Sequence, residues 1–349
     1  MTLQQHLGIE LPIIQAPMAG IQASAMAVAV SNAGGLGSLP AAMLTLDALR
    51  TELATIRAQT DKPFNVNFFC HTPPPPDATR EAAWRNMLAP YYREHGIDAS
   101  AIAPGMGRMP FNAEVCDVVE PFAPPVVSFH FGLPDAALLA RVRGWGAKVL
   151  CSATTVEEGL WLQAQGVDAV IVQGLEAGGH RGHFLSDELS QQMGTFALLP
   201  QLVRALTVPV IAAGGIADAR GVAAALALGA GAAQVGTAYM LCPEATTSAL
   251  HRAALQSDAA RHTALTNLFT GRPARGIVNR AIRELGAINP LAPQFPLATA
   301  GMAPLRTKAE AAGLGDFSPL WSGQNASGCK AVPAAQLTRE LAGLAAEAG

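Results

Sequence analysis

From Pro12 onward, short apolar runs alternate with Ala-rich stretches whose apolar residues recur at helical spacing, and each apolar run ends in glycine or a polar residue. β-Branched and aromatic residues bounded by turn signals mark eight candidate strands: Pro12–Ala16, Leu36–Ser38, Phe64–Phe69, Pro125–His130, Lys148–Ser152, Ala169–Gln173, Val208–Ala213 and Ala232–Gly236. Between them, Thr45–Thr60, Thr155–Gln165 and Ala217–Leu228 keep one apolar face and predict helices. Continuously apolar strands joined by amphipathic helices describe a parallel sheet covered by helices, and eight is the strand number of a closed (β/α)8 TIM barrel. A doubly wound open sheet gives a similar alternation. The placement of polar residues at strand ends favours the barrel.

Two segments depart from the repeat. His71–Pro124 holds the Pro73–Pro76 run, Tyr91 and Tyr92 and is too long for one crossover helix, which predicts an elaborated connection near the site. After Thr237 the alternation gives way to Ala-, Thr- and Arg-rich helical stretches with Pro-bounded turns. The expected organisation is therefore a barrel over residues 1–240 and 316–349 with a helical cap subdomain at 241–315. The stretch Gln336–Ala348 is amphipathic and predicts a closing helix.

Composition narrows the classes. Of 349 residues only 14% are charged, half are hydrophobic and 34 are Gly, which fits one large core with many tight turns. The net charge of −3 and the lack of any Lys/Arg cluster argue against a nucleic-acid partner. No run approaches the ~18 apolar residues of a membrane span, and Met1–Glu10 has no signal-type pattern, so a soluble cytoplasmic protein is expected, with a homo-oligomer left open. The five cysteines are scattered without CxxC spacing, which predicts reduced, buried thiols.

Barrel enzymes build their sites at the C-terminal strand ends. There the chain places Gln15 with the Ala16-Pro17-Met18 turn, Asn65 and Asn67, Ser128 and His130, Ser152, and Gln173. Strands seven and eight run into Ala213-Gly214-Gly215 and Gly236-Thr237, whose bare backbone N–H groups suit a phosphate at the position such barrels use. A tight βα turn is the plainer account of either pair alone. After strand six, Glu176-Ala177-Gly178-Gly179-His180-Arg181-Gly182-His183 combines glycines that admit a planar ligand with two histidines able to exchange protons near neutral pH. By strand alternation His130 faces the same way as Val126 and Ser128, toward His180 if that side is the interior. The spacing of His180 and His183 makes a metal site improbable, because no convergent Asp, Glu or Cys ligands accompany it and Arg181 lies between.

At these residues the chain resembles the nitronate monooxygenase family, formerly 2-nitropropane dioxygenases, in its bacterial class I form. The likeness is carried by Pro12-Ile13-Ile14-Gln15-Ala16-Pro17-Met18, Phe64-Asn65-Val66-Asn67, Val127-Ser128-Phe129-His130-Phe131-Gly132, the Glu176–Gly182 loop, Ala213-Gly214-Gly215-Ile216, Val235-Gly236-Thr237 and Trp321-Ser322-Gly323-Gln324. The resemblance implies a barrel holding FMN non-covalently. Ala16, Pro17, Met18, Asn67 and Gln173 would surround the flavin ring; Gly178, Gly214, Gly215, Gly236 and Thr237 would face ribityl and phosphate; Ser322 and Gln324 would close over them. It makes His180 the active-site histidine with His130 as a second pocket residue. The implied reaction is O2-dependent oxidation of an alkyl nitronate, such as propionate 3-nitronate, to a carbonyl compound and nitrite. Three rivals stay open: an NAD(P)H-dependent FMN reductase of quinones or enoyl-acyl carrier protein, a flavin-free phosphate-binding lyase or isomerase, and a flavin-binding protein without turnover.

Overall fold

A computed structural model describes residues 1–103 and 107–344. In it every one of the eight expected strands is present. In chain order, with three further strands, they are β1 Ile13–Gln15, β2 Gly37–Pro40, β3 Phe64–Phe69, β4 Val126–His130, β5 Lys148–Ala153, β6 Ala169–Gln173, β7 Gly179–His180, β8 Val210–Ala213, β9 Ala232–Val235, β10 Thr263–Thr266 and β11 Ala274–Ile277. Eight of them form one parallel sheet in the order β1-β9-β8-β6-β5-β4-β3-β2. A parallel bridge from Ile14 to Leu36 joins its two ends and closes the barrel.

Alternation along each strand sorts the core. Val127, Phe129, Val149, Cys151, Val170, Val172, Val210 and Ala212 point outward into the layer shared with the helices. Their neighbours Val126, Leu150, Ala169, Ile171, Ile211 and Ala232 point inward and, with Leu3 and Leu7 of the N-terminal helix, fill the lower half of the barrel. Higher on the same inward faces the sequence switches to Asn65, Asn67, Ser128, His130, Ser152, Gln173 and Gln234. The interior is therefore apolar at the N-terminal end and polar at the C-terminal end.

The covering helices begin where their caps predict. Thr45, Thr155 and Asp218 accept hydrogen bonds from Ala48, Glu158 and Gly221 N–H at the starts of helices Leu46–Gln59, Val156–Ala164 and Ala219–Ala227. The closing helix spans Ala334–Leu341, and the expectation for residues 345–348 lies outside the described residues. All five cysteines are free, with Cys116, Cys151 and Cys242 buried and Cys70 and Cys329 half-buried.

Over the polar end sits a second core. Trp84, Leu88 and Tyr92 of helix Ala78–Glu94, from the long β3–β4 connection, pack with Leu268, Phe269, Ala298, Met302, Leu305 and Phe317. Tyr92 Oη donates to the Gly301 carbonyl at 2.8 Å. The cap is thus built from two distant stretches of chain. It is also less purely helical than its sequence suggests, because β10, β11 and β7 form an antiparallel sheet in which Ala274 pairs with His180 and Arg275 with Gly179. Short strands interrupted by Gly271, Arg272 and Pro273 show no clear period, which is why they escape a periodicity reading. Among the described residues no helix is long and apolar enough to cross a membrane.

Candidate active site

A cavity of about 550 Å³ opens between the C-terminal strand ends and the cap. On its barrel side lie Ala16, Pro17, Met18, Asn67, His130 and Gln173; on the glycine side lie Gly178, Gly214, Gly215, Gly236 and Thr237; His180 and Ser322 complete the wall. Thirteen of the fourteen residues that the family resemblance assigns to the site therefore converge on one space. Gln324 differs: it is exposed, and its backbone N–H donates to the Glu176 carbonyl at 2.9 Å while its neighbours Gly323 and Asn325 face the cavity.

The floor is a hydrogen-bonded layer. Asn65 and Asn67, two apart on β3, both donate to Ser128 Oγ on β4, at 2.8 and 2.9 Å. Gln173 is fully engaged in holding the loop above it: its Nε2 donates to the His180 carbonyl at 2.9 Å and its Oε1 accepts from Gly182 N–H at 2.7 Å. Arg181, completely buried, fixes the same loop by donating to the Gln173 and Gly174 carbonyls and to Gln192 Oε1. Burial, then the charge of Arg275, pushes its guanidinium down to about 9. Glu158 holds the far end of the loop, accepting from the Phe184 and Thr154 N–H groups, both at 2.6 Å. His183 is turned away, 3.3 Å from Asp187. No group of three or more metal-binding side chains occurs among the described residues.

His130 has one tautomer. Its Nε2 is 3.2 Å from the His180 carbonyl, which can only accept, so Nε2 carries the proton. Nδ1 then accepts from Ser152 Oγ at 2.6 Å. Burial lowers this imidazole to about 3, which keeps it neutral. His180 lies among aromatic rings, with the centroids of Phe295 and Trp321 at 5.3 and 5.5 Å, and its Nε2 is 2.9 Å from Thr270 Oγ1. Burial first, then His130, Arg108 and Arg272, hold its pKa well below the usual histidine value.

Electrostatically the cavity is one-sided. Arg108 and Arg306 line it, and no Asp or Glu does among the described residues. Arg108 stands over the Phe295 ring at 5.9 Å, and among the described residues its guanidinium has no carboxylate partner. At the other end, Gly214 and Gly215 adopt φ of +118° and +74°, a conformation open to glycine. The adjoining helix Thr195–Ala205 is not free to bind an anion, because Glu176 accepts from Thr195 N–H at 2.8 and 3.0 Å. Among the described residues no backbone carbonyl takes the Gly215 or Gly236 N–H. Gln234 Oε1, on the cavity-lining strand β9, is buried without a hydrogen-bond partner. A cavity lined by N–H groups without a backbone acceptor among the described residues and by an orphaned amide oxygen suits a flat heterocycle carrying a phosphate.

Sequence reasoning missed Gln234, Thr270, Arg108 and Phe69, all on the cavity wall. Gln234 was within reach, since alternation from Ala232 places it inward. Thr270 and Arg108 carry no local signal; they arrive through the cap.

The model of one protein family, described as nitronate monooxygenase, matches residues 1–343. The chain belongs to the nitronate monooxygenase family. A nitronate monooxygenase from Paraburkholderia phytofirmans is 43% identical over 96% of this chain and 92% of its own length. Among solved structures, a nitroalkane oxidase from Streptomyces ansochromogenes superposes with a TM-score of 0.87 at 38% identity, covering 98% of this chain and 96% of that one. FabK from Thermotoga maritima matches less well, with a TM-score of 0.73 at 27% identity over 98% of this chain and 94% of that one. The family is one of flavin enzymes.

Proposed function

We propose that this chain is an FMN-dependent nitronate monooxygenase, oxidising alkyl nitronates with O2 to a carbonyl compound and nitrite. The observation that carries this reading is a cavity with no Asp or Glu among its described lining residues: it joins the Gly215 and Gly236 N–H groups, which no backbone carbonyl takes among the described residues, to a pocket bearing His180 and a cation, Arg108. Ala16, Pro17, Met18 and Asn67 would hold the flavin ring, with Gln173 supporting it through the His180 loop. Gly178, Gly214, Gly215, Gly236 and Thr237 would hold ribityl and phosphate, and Ser322 with the backbone around Gln324 would close the side. Gln234 Oε1 would find there the donor it lacks. Bound in this cradle, FMN supplies the electron transfer from nitronate and its return to O2.

The chain's own residues bind and orient. Arg108 supplies positive charge to the anionic nitronate in a desolvated site. His180, neutral by burial, offers a lone pair to the α-proton of neutral nitroalkanes and, once it holds that proton, a hydrogen bond to the nitronate formed. Phe69, Phe269 and Trp321 keep water from the reacting end. In the same reading, residues 1–240 and 316–349 form the cofactor-binding barrel and 241–315 the cap, with helix Ala78–Glu94 attached to the cap.

The test is to mix the FMN-loaded protein with propionate 3-nitronate and assay O2 consumption and nitrite, with NADH and NADPH in parallel. Nitrite release without pyridine-nucleotide oxidation is expected. Flavin reduction by NADH or NADPH alone, with no nitrite from nitronate, would overturn the reading in favour of an NAD(P)H-dependent FMN reductase.

A further inference from the structure

Thr270 belongs to none of the sequence motifs. It sits in the turn between β10 and β11, ninety residues beyond His180, and reaches the cavity only because the cap folds back over the barrel. Its hydroxyl has two neighbours: His180 Nε2 at 2.9 Å and the Arg272 carbonyl at 3.5 Å. A hydroxyl has one proton to donate, and a carbonyl can only accept. The arrangement that satisfies both contacts directs the Thr270 proton to Arg272 and makes Thr270 Oγ1 the acceptor of a proton on His180 Nε2. His180 Nδ1 is then the nitrogen with the free lone pair. Among the described residues Nδ1 makes no hydrogen bond, and it is not among the buried polar atoms sealed without a partner, so it is open to the cavity that His180 lines.

The backbone supports this orientation. The His180 carbonyl accepts from both Gln173 Nε2 and His130 Nε2, and Ala274 pairs with His180 across β11 and β7. With its main chain fixed on two sides, the ring retains rotation about its side-chain bonds, and Thr270 is the polar group that settles it.

We propose that Thr270 is a positioning residue that locks His180 as the Nε2–H tautomer and so directs the Nδ1 lone pair at the substrate carbon. This rests on the assignment of His180 as the residue facing substrate. In the step it serves, the C–H bond next to the nitro group breaks, its electron pair stays on the substrate as the nitronate, and the proton forms an Nδ1–H bond. His180 becomes an imidazolium whose Nε2–H remains on Thr270, and the proton passes to solvent after turnover. A preformed nitronate skips this step, so Thr270 matters more for neutral nitroalkanes than for nitronates.

The experiment uses FMN-loaded wild type, Thr270→Val, which keeps the shape without the hydroxyl, and Thr270→Ser, which keeps the hydroxyl. Histidine labelled with ¹⁵N reports the His180 tautomer, with His180→Gln identifying its signals. Parallel assays give kcat/KM for nitroethane and for ethyl nitronate. Wild type is expected to show a protonated Nε2 and a bare Nδ1, and Thr270→Val a mixture of tautomers. In Thr270→Val, kcat/KM for nitroethane should fall at least about tenfold further than that for ethyl nitronate, with recovery in Thr270→Ser, as expected for partial loss of general-base catalysis. A wild-type His180 protonated on Nδ1, or equal losses on both substrates, would overturn the proposal. If wild type releases nitrite from neither substrate, the functional reading fails, and the nitrogen shifts still decide whether Thr270 sets the tautomer. Should Thr270→Val fail to fold, wild type and Thr270→Ser decide it.

Discussion

The segment 321–325 closes one side of the cavity, and its seat depends on Gly178 having no side chain. A Cβ built there would lie 2.5 Å from Gly323 N and 2.6 Å from the Ser322 carbonyl carbon, both backbone atoms with no flexible end to yield. The φ of Gly178 lies outside the left-handed region, so alanine is conformationally acceptable and its whole penalty is collision. The segment is tied down by Ser322 N–H to the Arg275 carbonyl at 3.2 Å, Gly323 N–H to Thr237 Oγ1 at 2.9 Å and Gln324 N–H to the Glu176 carbonyl at 2.9 Å. Gly178→Ala must displace it, and with it Ser322, Gly323 and Asn325 of the cavity wall. Overpacking of this kind costs about 1–3 kcal/mol. Borne by the closed, cofactor-bound form, that cost weakens FMN binding by about 5- to 150-fold. Titration of apoprotein with FMN, followed by quenching of flavin fluorescence, measures it. Gly144→Ala is the control, because a Cβ there meets nothing within 4 Å. Unchanged FMN affinity and unchanged melting temperature in Gly178→Ala would refute the account of segment 321–325 as part of the cofactor site.

Two further outcomes are expected. Burial first, and then Arg306, lower His251 to about 4, against the hydrogen bond from its ring to the Trp321 carbonyl, which raises it. The unfolded chain therefore binds the extra proton between about pH 6.5 and 4, and stability that is full above this window is lost as pH falls through it, about 2 kcal/mol by pH 5. Urea unfolding at pH 7.5 and 5.0 should show this loss reduced by that amount in His251→Gln; an identical pH dependence in the variant would contradict it. Arg108→Leu removes a cation that no carboxylate neutralises among the described residues, and the nitronate KM should rise about tenfold or more, as expected for loss of a hydrogen bond to a charged group. Steady-state kinetics at two salt concentrations check this, and an unchanged KM would assign the anion to other donors.

How much of this the sequence discloses depends on whether the signal is local. The barrel is legible because each βα unit repeats the same information: an apolar run, a turn, a cap and an amphipathic face. Thr155, for example, caps its helix with its own side chain three residues before Glu158. The inward polar positions are legible for the same reason, since alternation along one strand carries His130 to the same side as Ser128. The cap is a different case. Phe131 takes a φ of +70° that its type does not announce, with the Arg272 guanidinium 4.2 Å from its ring centroid. β7 is two residues long and acquires a partner in β11 only after the chain has travelled through β8, β9 and β10. No window of sequence contains both halves of such a contact.

That division has a physical consequence for the site. His180 leaves β6 on a loop that Gln173 and Arg181 bind to the barrel, yet its backbone pairs with β11 and its ring bonds to Thr270, both in the cap. The residue is therefore held in two frames at once. The proposed cofactor contacts of Ala16, Asn67 and the glycine turns lie in the barrel frame and follow from strand ends that share a single rigid sheet, while Ser322 is tied to the cap through the Arg275 carbonyl. In the proposed reaction, proton transfer would depend on the relation between the frames, because Thr270 of the cap would set which nitrogen of His180 faces the substrate. Substitutions within the second core, such as at Phe269 or Met302, should then act on nitroalkane turnover before they act on FMN binding, since they alter the cap while leaving the parallel strands untouched. The positions least visible in the sequence are those that set the chemistry, because they work by bringing together residues that the chain keeps far apart.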